Sequence, residues 1–389
     1  LQKVAITMKK TLIFLSSFMM TSLSNVTLAA TDSEEMWNTI KKQQAQIDAL
    51  NAKIEATADA MESNSSSSSQ SKTTIGGYGE LHYNNIKGKD AAIDFHRFVL
   101  FFGHKFTDKI KFYSEFELEH ALVKDTDDGS NGGEVELEQA FIDFNYAGNH
   151  HLKAGLFLIP VGIINETHEP PTFYGVERNN VEKQIIPATW WEAGLGFNGE
   201  ISPGLQYDVA ITSGLNNTSG SIRSGRQKVA KATAEDLAYT ARIKWTGVAG
   251  MEFATTLQYQ TDLSQGASTT ANSALLIEAH AIVNMGKFGI KALYAQWDID
   301  GLSNGAEEQN GYYIEPTFKI TDSFGLFARL SEYDKTAASS TDTSVEQFDI
   351  GFNYWPHENV VIKFDYQNQD NNASNSTAKG YNLGVGYNF

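Results

Sequence analysis

The sequence predicts an all-β protein, a 16-stranded antiparallel transmembrane β-barrel with an N-terminal coiled-coil helix in the periplasm. Three observations predict this fold: a leader-like apolar segment, a two-residue hydrophobic period over 73–389, and connections that alternate between short and long. The last strand shows the period most clearly, with large apolar residues at Tyr381, Leu383, Val385, Tyr387 and Phe389 separated by glycine and asparagine. Such a strand has one face suited to lipid and one suited to water.

Residues 1–30 are predicted to be an upstream extension followed by a signal peptide. Lys9 and Lys10 precede an apolar run over 11–20, and small residues end the segment at Ala29 and Ala30. We take Met8 as the natural start and place cleavage after Ala29 or Ala30. A true membrane anchor is the alternative, and the shortness of the apolar run argues against it.

Residues 31–62 are predicted to form a coiled coil. Isoleucines at Ile40, Ile47 and Ile54 recur every seven residues, with Leu50 between them, which is the spacing of a helical seam. A lone amphipathic helix is the alternative. The serine-rich stretch over 63–72 is predicted to be a flexible linker to the barrel at 73–389.

The barrel strands are predicted from the two-residue period and from the turn residues between them. Seven connections are tight, and the others are mostly longer and rich in Gly, Ser, Asn and Asp, which is typical of short periplasmic turns and longer external loops. A soluble all-β sandwich or propeller is the alternative. The predicted strands are 73–86, 92–106, 109–122, 134–147, 150–160, 189–201, 203–214, 235–247, 250–263, 272–285, 287–300, 309–320, 323–335, 345–355, 358–369 and 379–389.

Composition excludes several classes of function. The chain has no cysteine, which excludes thiol catalysis, and its formal charge of −17 argues against nucleic acid as a partner. No nucleophile elbow, phosphate loop or dinucleotide motif is present, so no enzyme, cofactor or metal site is predicted. Four polar residues fall on neighbouring early strands: His82, His104, His120 and Ser114. The alternation of side chains between the two faces of each strand does not bring them to one site.

If the apolar faces point to lipid, the opposite faces line a lumen wide enough to hold water. Both charge signs occur there, so the predicted pore orients polar solutes without strongly excluding either sign. For any one side chain, the alternative is a solvated residue without a special role. The predicted lumen residues are Glu115, Glu117, Lys153, Arg242, Lys244, Lys319, Arg329, Lys363 and Asp365.

The longest connection, residues 161–188, is the third external loop and is too long for a plain turn. We expect it to fold into the barrel and narrow it, as the third loop does in general porins. An outward loop or a contact between protomers is the alternative. The residues expected at the constriction are Glu166, His168, Glu169, Glu177, Arg178 and Lys183.

Two stretches carry a family resemblance. The run from Phe95 to Glu119, and the segments Glu138–Phe144 and Leu152–Gly162, resemble the phosphate-selective porin O and P family. The resemblance covers about residues 73–389 and implies a trimeric sixteen-stranded outer-membrane porin. It does not carry over phosphate selectivity, because the family's arginine ladder has no counterpart here: only Arg97, Arg242 and Arg329 lie in predicted strands, and they are far apart in sequence. The chain has six arginines in all, the other three being Arg178, Arg223 and Arg226.

The sequence therefore predicts an outer-membrane porin for passive diffusion of small hydrophilic solutes or ions. The expected partners are the lipid bilayer, lipopolysaccharide, two further copies in a homotrimer, and the barrel-assembly machinery, which would read Tyr387 and Phe389. Two other functions stay open. One is a structural tether from the outer membrane to the periplasm and peptidoglycan with the barrel as anchor, and the other is an outer-membrane hydrolase.

Overall fold

The computed structural model describes residues 72–124, 132–268 and 271–389. The predicted signal peptide and coiled coil, with Ile40, Ile47, Leu50 and Ile54, lie outside the described residues, as does almost all of the predicted linker. Within the described ranges, no helix is long and apolar enough to cross a membrane.

The described chain forms sixteen strands that close into one antiparallel barrel, in which every strand pairs with its sequence neighbours. Each predicted strand is present, with ends that differ from the prediction by a few residues. The strands are β1 (Thr73–Ile86), β2 (Ala92–Lys105), β3 (Ile110–Glu119), β4 (Val135–Ala147), β5 (His150–Leu158), β6 (Trp191–Ser202), β7 (Leu205–Thr212), β8 (Ala238–Trp245), β9 (Met251–Gln260), β10 (Ala274–Met285), β11 (Phe288–Ile299), β12 (Glu308–Thr321), β13 (Phe324–Asp334), β14 (Val345–His357), β15 (Val360–Asn371) and β16 (Ser376–Asn388).

The barrel closes where β1 pairs with β16. Tyr78 lies opposite Asn388 and Ile86 opposite Gly380, so the C-terminal strand takes the edge of the N-terminal one. The backbone of Phe389 adds two further hydrogen bonds, from its N–H to the Gly77 carbonyl and from the Gly77 N–H to its own carbonyl, at 2.9 and 3.0 Å. Closure leaves no unpaired sheet edge, which a hydrocarbon environment would penalise heavily.

The outer face of the barrel is apolar. Side chains that alternate outward along neighbouring strands remain exposed, including Leu81, Val385, Leu383 and Ile362 on the closing strands. Exposed aromatic side chains lie beside the short turns, which connect consecutive strands at one end of the barrel: Phe106, Tyr146, Phe288 and Phe389. An apolar band bordered by aromatics matches the lipid-facing surface of an outer-membrane barrel.

The two ends of the barrel differ. The short-turn end carries connections such as 106–109, 148–149 and 203–204, whereas the long-loop end carries the third loop, L3 (159–190), and the fourth loop, L4 (213–237). L3 contains the only α-helix of the described residues, α1 (Asn180–Gln184), and one 3-10 turn; L4 contains a second 3-10 turn.

A hydrophobic core lies inside the barrel, against the wall formed by β10, β11 and β12. Apolar residues of L3, among them Ile159, Ile185 and Trp190, are fully buried against the inward faces of β10, β11 and β12. There, Leu276 and Trp297 replace the polar side chains expected of a wet lumen. These strands therefore carry apolar residues on the inner face as well as on the outer one, because L3 covers their inner face and keeps water away from it.

Candidate functional site: a constriction across the barrel lumen

L3 leaves the wall between β5 and β6 and is attached inside the lumen to β11, β14 and β15. The Trp297 indole on β11 donates to the Ile185 carbonyl at 2.8 Å, and the Asn353 amide on β14 donates to the Phe173 carbonyl at 2.9 Å. On β15 the Asp365 carboxylate accepts from the Val176 N–H at 2.6 Å. The expected inward fold of this loop is what the structure shows.

Two buried polar side chains hold L3 in shape. Glu182 Oε2 accepts from the N–H groups of Ile163 and Ile164 at 3.0 and 2.6 Å, while its Oε1 accepts from the Tyr313 hydroxyl on β12 at 2.8 Å. Asn165 joins the two ends of the loop, since its amide donates to the carbonyls of Ile159 and Trp190 and its Oδ1 accepts from the Trp190 N–H. Burial raises the pKa of Glu182, against the hydrogen bonds that favour its charged form.

A polar cavity of about 320 Å³ remains between L3, L4 and the wall formed by β1 to β4. Its loop side is mainly cationic, with Arg178, Lys183 and one carboxylate, Glu177, from L3 and with Arg223, Arg226 and Lys228 from L4. Its wall side carries Glu80, His82, His96, Arg97, Glu119, Glu134, Glu136 and Glu138. Opposite charges therefore face each other across the remaining opening.

Four of the five loop-side cations, Arg178, Lys183, Arg223 and Arg226, form no ion pair with any carboxylate of the described residues. Arg223 donates to the carbonyls of Lys183 and Ala188 at 2.8 and 3.0 Å, and Arg226 donates to the Thr189 carbonyl at 2.5 Å. Arg178 donates to the Thr189 hydroxyl and leaves its Nε and Nη2 without partners. Burial lowers the pKa of Lys183, and it lowers that of Arg223 to about 10, which still leaves Arg223 charged at neutral pH.

Most wall-side carboxylates, by contrast, are paired. Glu80 lies 2.7 Å from the Arg97 guanidinium and 3.1 Å from His82. Lys228 from L4 binds Glu134 and Glu136. Paired carboxylates contribute less to the local field than isolated ones, so the unpaired loop cations dominate the field in the cavity.

Three of the six predicted constriction residues border the cavity, and three lie elsewhere on L3. Glu177, Arg178 and Lys183 line the cavity. Glu166 instead forms an ion pair with Arg242 on β8, and His168 is buried against β3 and β4. Glu169 does not border the cavity. Glu166, His168 and Glu169 lie on the part of L3 that turns toward the wall. There, the Glu166 carboxylate and the His168 imidazole attach the loop to the wall.

The nine predicted lumen residues all lie on strand positions that face inward, but six of them are covered by L3 rather than open to the lumen. Arg329, for example, is enclosed by Glu315 and Asp349 at 3.0 Å and also approaches the Tyr174 carbonyl, and Lys363 lies over the Phe173 ring. The covered residues are Glu115, Glu117, Arg242, Arg329, Lys363 and Asp365, and the less buried ones are Lys153, Lys244 and Lys319.

His168 attaches L3 to the wall through two carboxylates. Its Nε2 lies 3.2 Å from Glu115 Oε1 and 3.5 Å from Glu138 Oε2, and the imidazole is almost fully buried. Burial alone would lower the pKa of His168, but the two carboxylates overcome it and raise the pKa to about 10. The imidazole is therefore a cation at neutral pH.

This ion pair predicts a loss of loop attachment in alkali. Because the pKa of His168 is raised, its contribution is complete below its ordinary pKa near 6.5 and disappears as the pH rises through about 10. Single-channel recordings should show a rise in current noise between about pH 9 and 11. His168→Gln should remove that transition, and His104→Gln, at the short-turn end, should keep it. A transition that persists in His168→Gln would contradict this role.

Sequence reasoning missed the contribution of L4. Arg223, Arg226 and Lys228 lie more than thirty residues beyond the end of L3, and nothing in their spacing indicates that L4 folds onto it. Four of the six arginines meet at one cavity: Arg97, Arg178, Arg223 and Arg226. The last three lie in the two longest connections, which is the one signal in the sequence.

A closed sixteen-stranded barrel with an apolar outer face and a third loop folded into its lumen defines the class of outer-membrane porins, which are passive diffusion channels. The chain belongs to the family of phosphate-selective porins O and P, whose model matches residues 76–386. An uncharacterised protein of Aquifex aeolicus (strain VF5) is 31% identical over 345 residues, covering 76% of each chain.

Solved structures of porins share the fold. The anion-selective porin from Comamonas acidovorans is 12% identical, with a TM-score of 0.58 over 82% of this chain and 99% of that one. The outer-membrane channel DcaP of Acinetobacter baumannii is 15% identical, with a TM-score of 0.56 over 82% and 97%. At these identities the likeness extends to the fold alone.

Proposed function

We propose that L3 and L4 together form the selectivity constriction of this porin. The observation that supports it is the cavity whose loop side carries Arg178, Lys183, Arg223 and Arg226 and whose opposite wall is acidic. A field directed across the opening orients dipolar solutes as they pass. Small hydrophilic solutes of both charge signs pass, and the unpaired loop cations give anions the advantage.

The test is conductance of the purified protein in a planar bilayer. Reversal potentials across a KCl gradient measure the chloride-to-potassium permeability ratio. We expect stable open channels with a modest preference for chloride. Complete exclusion of potassium, or a preference for potassium, would contradict the proposed charge arrangement, and absence of any conductance would contradict the open constriction.

We also propose that the porin is a homotrimer embedded in lipid and lipopolysaccharide. Family membership supports this assembly, and a similar fold occurs in the OmpT outer-membrane protein of Vibrio cholerae, which is described in a trimer form at 10% identity, with a TM-score of 0.56 over 82% of this chain and 99% of that one. Native mass spectrometry in detergent tests it: a single species of three chains supports the proposal, and a monomer contradicts it.

The coiled coil proposed for residues 31–62 and the linker over 63–72 would extend into the periplasm. The spacing of Ile40, Ile47, Leu50 and Ile54 supports a helical seam between protomers. A tether toward peptidoglycan is the second candidate function of the chain. Deleting residues 31–72 separates the two: loss of envelope integrity with unchanged conductance favours the tether.

Phe389 is proposed to serve both barrel closure and recognition by the assembly machinery, together with Tyr387. Its ring stacks on Phe98 of β2 with centroids 6.0 Å apart, and its backbone pairs with Gly77. Deleting Phe389 should reduce the yield of heat-modifiable, membrane-inserted barrel severalfold and leave the permeability ratio of the assembled fraction unchanged. Phe288→Ala, an exposed aromatic at the same end, is the control. Normal assembly of the truncated chain would contradict the proposal.

A further inference from the structure

Three histidines gather at the long-loop end of β1, β2 and β3, beside the cavity. The rings of His82 and His96 are stacked with centroids 4.7 Å apart, and His96 meets His120 edge-on at 5.4 Å. The Asp94 carboxylate lies between the last two, 3.0 Å from His96 Nδ1 and 2.8 Å from His120 Nδ1.

Strand parity alone does not predict this cluster, and two local irregularities explain why. The pairing of β1 with β2 shifts register between Glu80 and His82, so that His82 lies opposite Asp94. His120 follows the last residue of β3 in a left-handed conformation with φ of 55°, and its N–H donates to the His96 carbonyl at 3.1 Å. His82 and His120 both contact His96 and border the cavity, whereas His104 lies elsewhere, next to Thr73.

The side chains of Asp94, His96 and His120 have the chemistry of a metal site. One ligand atom from each lies within 4.8 Å of the other two. Metal–ligand distances of about 2.0–2.2 Å place neighbouring ligand atoms about 3.3 Å apart in a tetrahedral site, so small movements of the rings suffice. Two imidazoles with one carboxylate suit zinc, copper or nickel better than calcium or magnesium, which prefer oxygen ligands alone.

These three side chains are also within reach of dissolved ions. The exposed fractions are 27% for Asp94, 20% for His96 and 41% for His120, and both histidines border the cavity. The buried set of Glu115, Glu138 and His168 lacks such access, and its groups already pair with one another. We propose that Asp94, His96 and His120 bind one divalent transition-metal ion, of the zinc or copper kind, at the long-loop mouth of the constriction.

A second set, His82, His96 and Glu177, shares His96 with the first. His82 Nδ1 lies 3.1 Å from Glu177 Oε1, and this contact links L3 to β1. Because His96 serves only one ion at a time, the site holds a single ion per chain. A bound ion adds positive charge beside the opening, and it reduces the current by narrowing the path.

The direct test is calorimetric titration of the tag-free, full-length porin in detergent with ZnCl₂ at pH 7.5, followed by the same titration with MgCl₂. We expect one zinc ion per chain with a dissociation constant on the order of micromolar, and no heat from magnesium. His96→Gln and His120→Gln should each weaken zinc binding at least about tenfold. Far-UV circular dichroism and heat-modifiable migration of each variant establish that the barrel is intact.

His151→Gln is the matched control, because His151 pairs with Asp143 at 2.8 Å while the adjacent His150 contacts the Tyr207 hydroxyl instead. Zinc binding of this variant should equal that of the unaltered protein. In planar bilayers, zinc on the long-loop side should reduce the current, and EDTA should restore it. Absence of zinc binding up to about 1 mM would overturn the proposal. So would zinc binding in intact His96→Gln and His120→Gln barrels that equals the binding of the unaltered protein.

Discussion

Replacing Arg178, Arg223 and Arg226 together by glutamine is expected to shift the chloride-to-potassium permeability ratio roughly tenfold toward potassium. These arginines line the cavity and have no carboxylate partner among the described residues, so removing them leaves no carboxylate unpaired. The wall opposite keeps its acidic side chains, and the sign of the field at the opening reverses.

The size of this effect follows from Coulomb's law. One unit charge about 8 Å from the path contributes about 0.5 kcal/mol in water, with opposite signs for chloride and potassium, so three charges change the permeability ratio by about 3 kcal/mol. Screening at 0.1 M salt reduces this to about 1.4 kcal/mol, or roughly tenfold in the ratio. The Debye length is about 10 Å at 0.1 M salt and about 3 Å at 1 M. The shift should therefore be large in dilute KCl and small in 1 M KCl.

The control carries the same change of charge at the other end of the barrel. Lys109, Lys111 and Lys287 lie in or beside the short turns, and their replacement by glutamine should leave the ratio within about twofold of its original value, because no shared opening narrows there. Equal shifts in the two triple variants would show that net charge, not the constriction, determines selectivity.

Replacing Glu182 by alanine is expected to release L3 from the wall while the barrel stays closed. The carboxylate accepts hydrogen bonds from Ile163, Ile164 and Tyr313, all of which are buried. Each group left without a partner costs about 1–3 kcal/mol. Gly162 lies against the same carboxylate with φ of 72°, where a Cβ would approach Glu182 Oε2 to 2.8 Å, so the site has no room to rearrange.

The expected readouts are higher single-channel conductance with more frequent current fluctuations, and trypsin cleavage within L3 at Arg178 or Lys183. Far-UV circular dichroism and heat-modifiable migration should remain those of a folded barrel. Glu169→Ala is the control, since this glutamate lies on the same loop outside the hydrogen-bond network of Glu182. Unchanged conductance and protease resistance in Glu182→Ala would mean that the apolar packing of L3 holds the loop unaided.

The barrel itself could be predicted because the bilayer imposes a strict pattern on the outer face. Along β16, Leu383 and Val385 point outward. The two-residue hydrophobic period of the strand follows from the need for apolar side chains on the lipid-facing side. The inner face of the barrel does not contact a single kind of environment along its length. On β10 to β12 it packs against L3, and an apolar inward residue such as Leu276 has the same appearance in sequence as one that faces lipid.

The constriction was only partly predictable for a related reason. The inward position of L3 follows from its length and place in the order of loops, and Glu177, Arg178 and Lys183 do line the cavity. Whether a charged residue of a loop faces the opening or fastens the loop depends on three-dimensional partners, as Glu166 and Arg242 illustrate. Arg223 and Arg226 of L4 lie at the cavity because L4 packs against L3, and no local sequence pattern predicts this packing.

The attachment of L3 to the closing strands also constrains the order of assembly. Val176 is held by Asp365 of β15, and both Val176 and Pro170 pack beside glycines of β16, the strand that closes the barrel against β1. L3 therefore acquires its final contacts only once the C-terminal hairpin is in place. The docking of L3 and the pairing of β1 with β16 are therefore coupled, because a chain whose last two strands are out of place lacks the contacts that hold Val176 and Pro170.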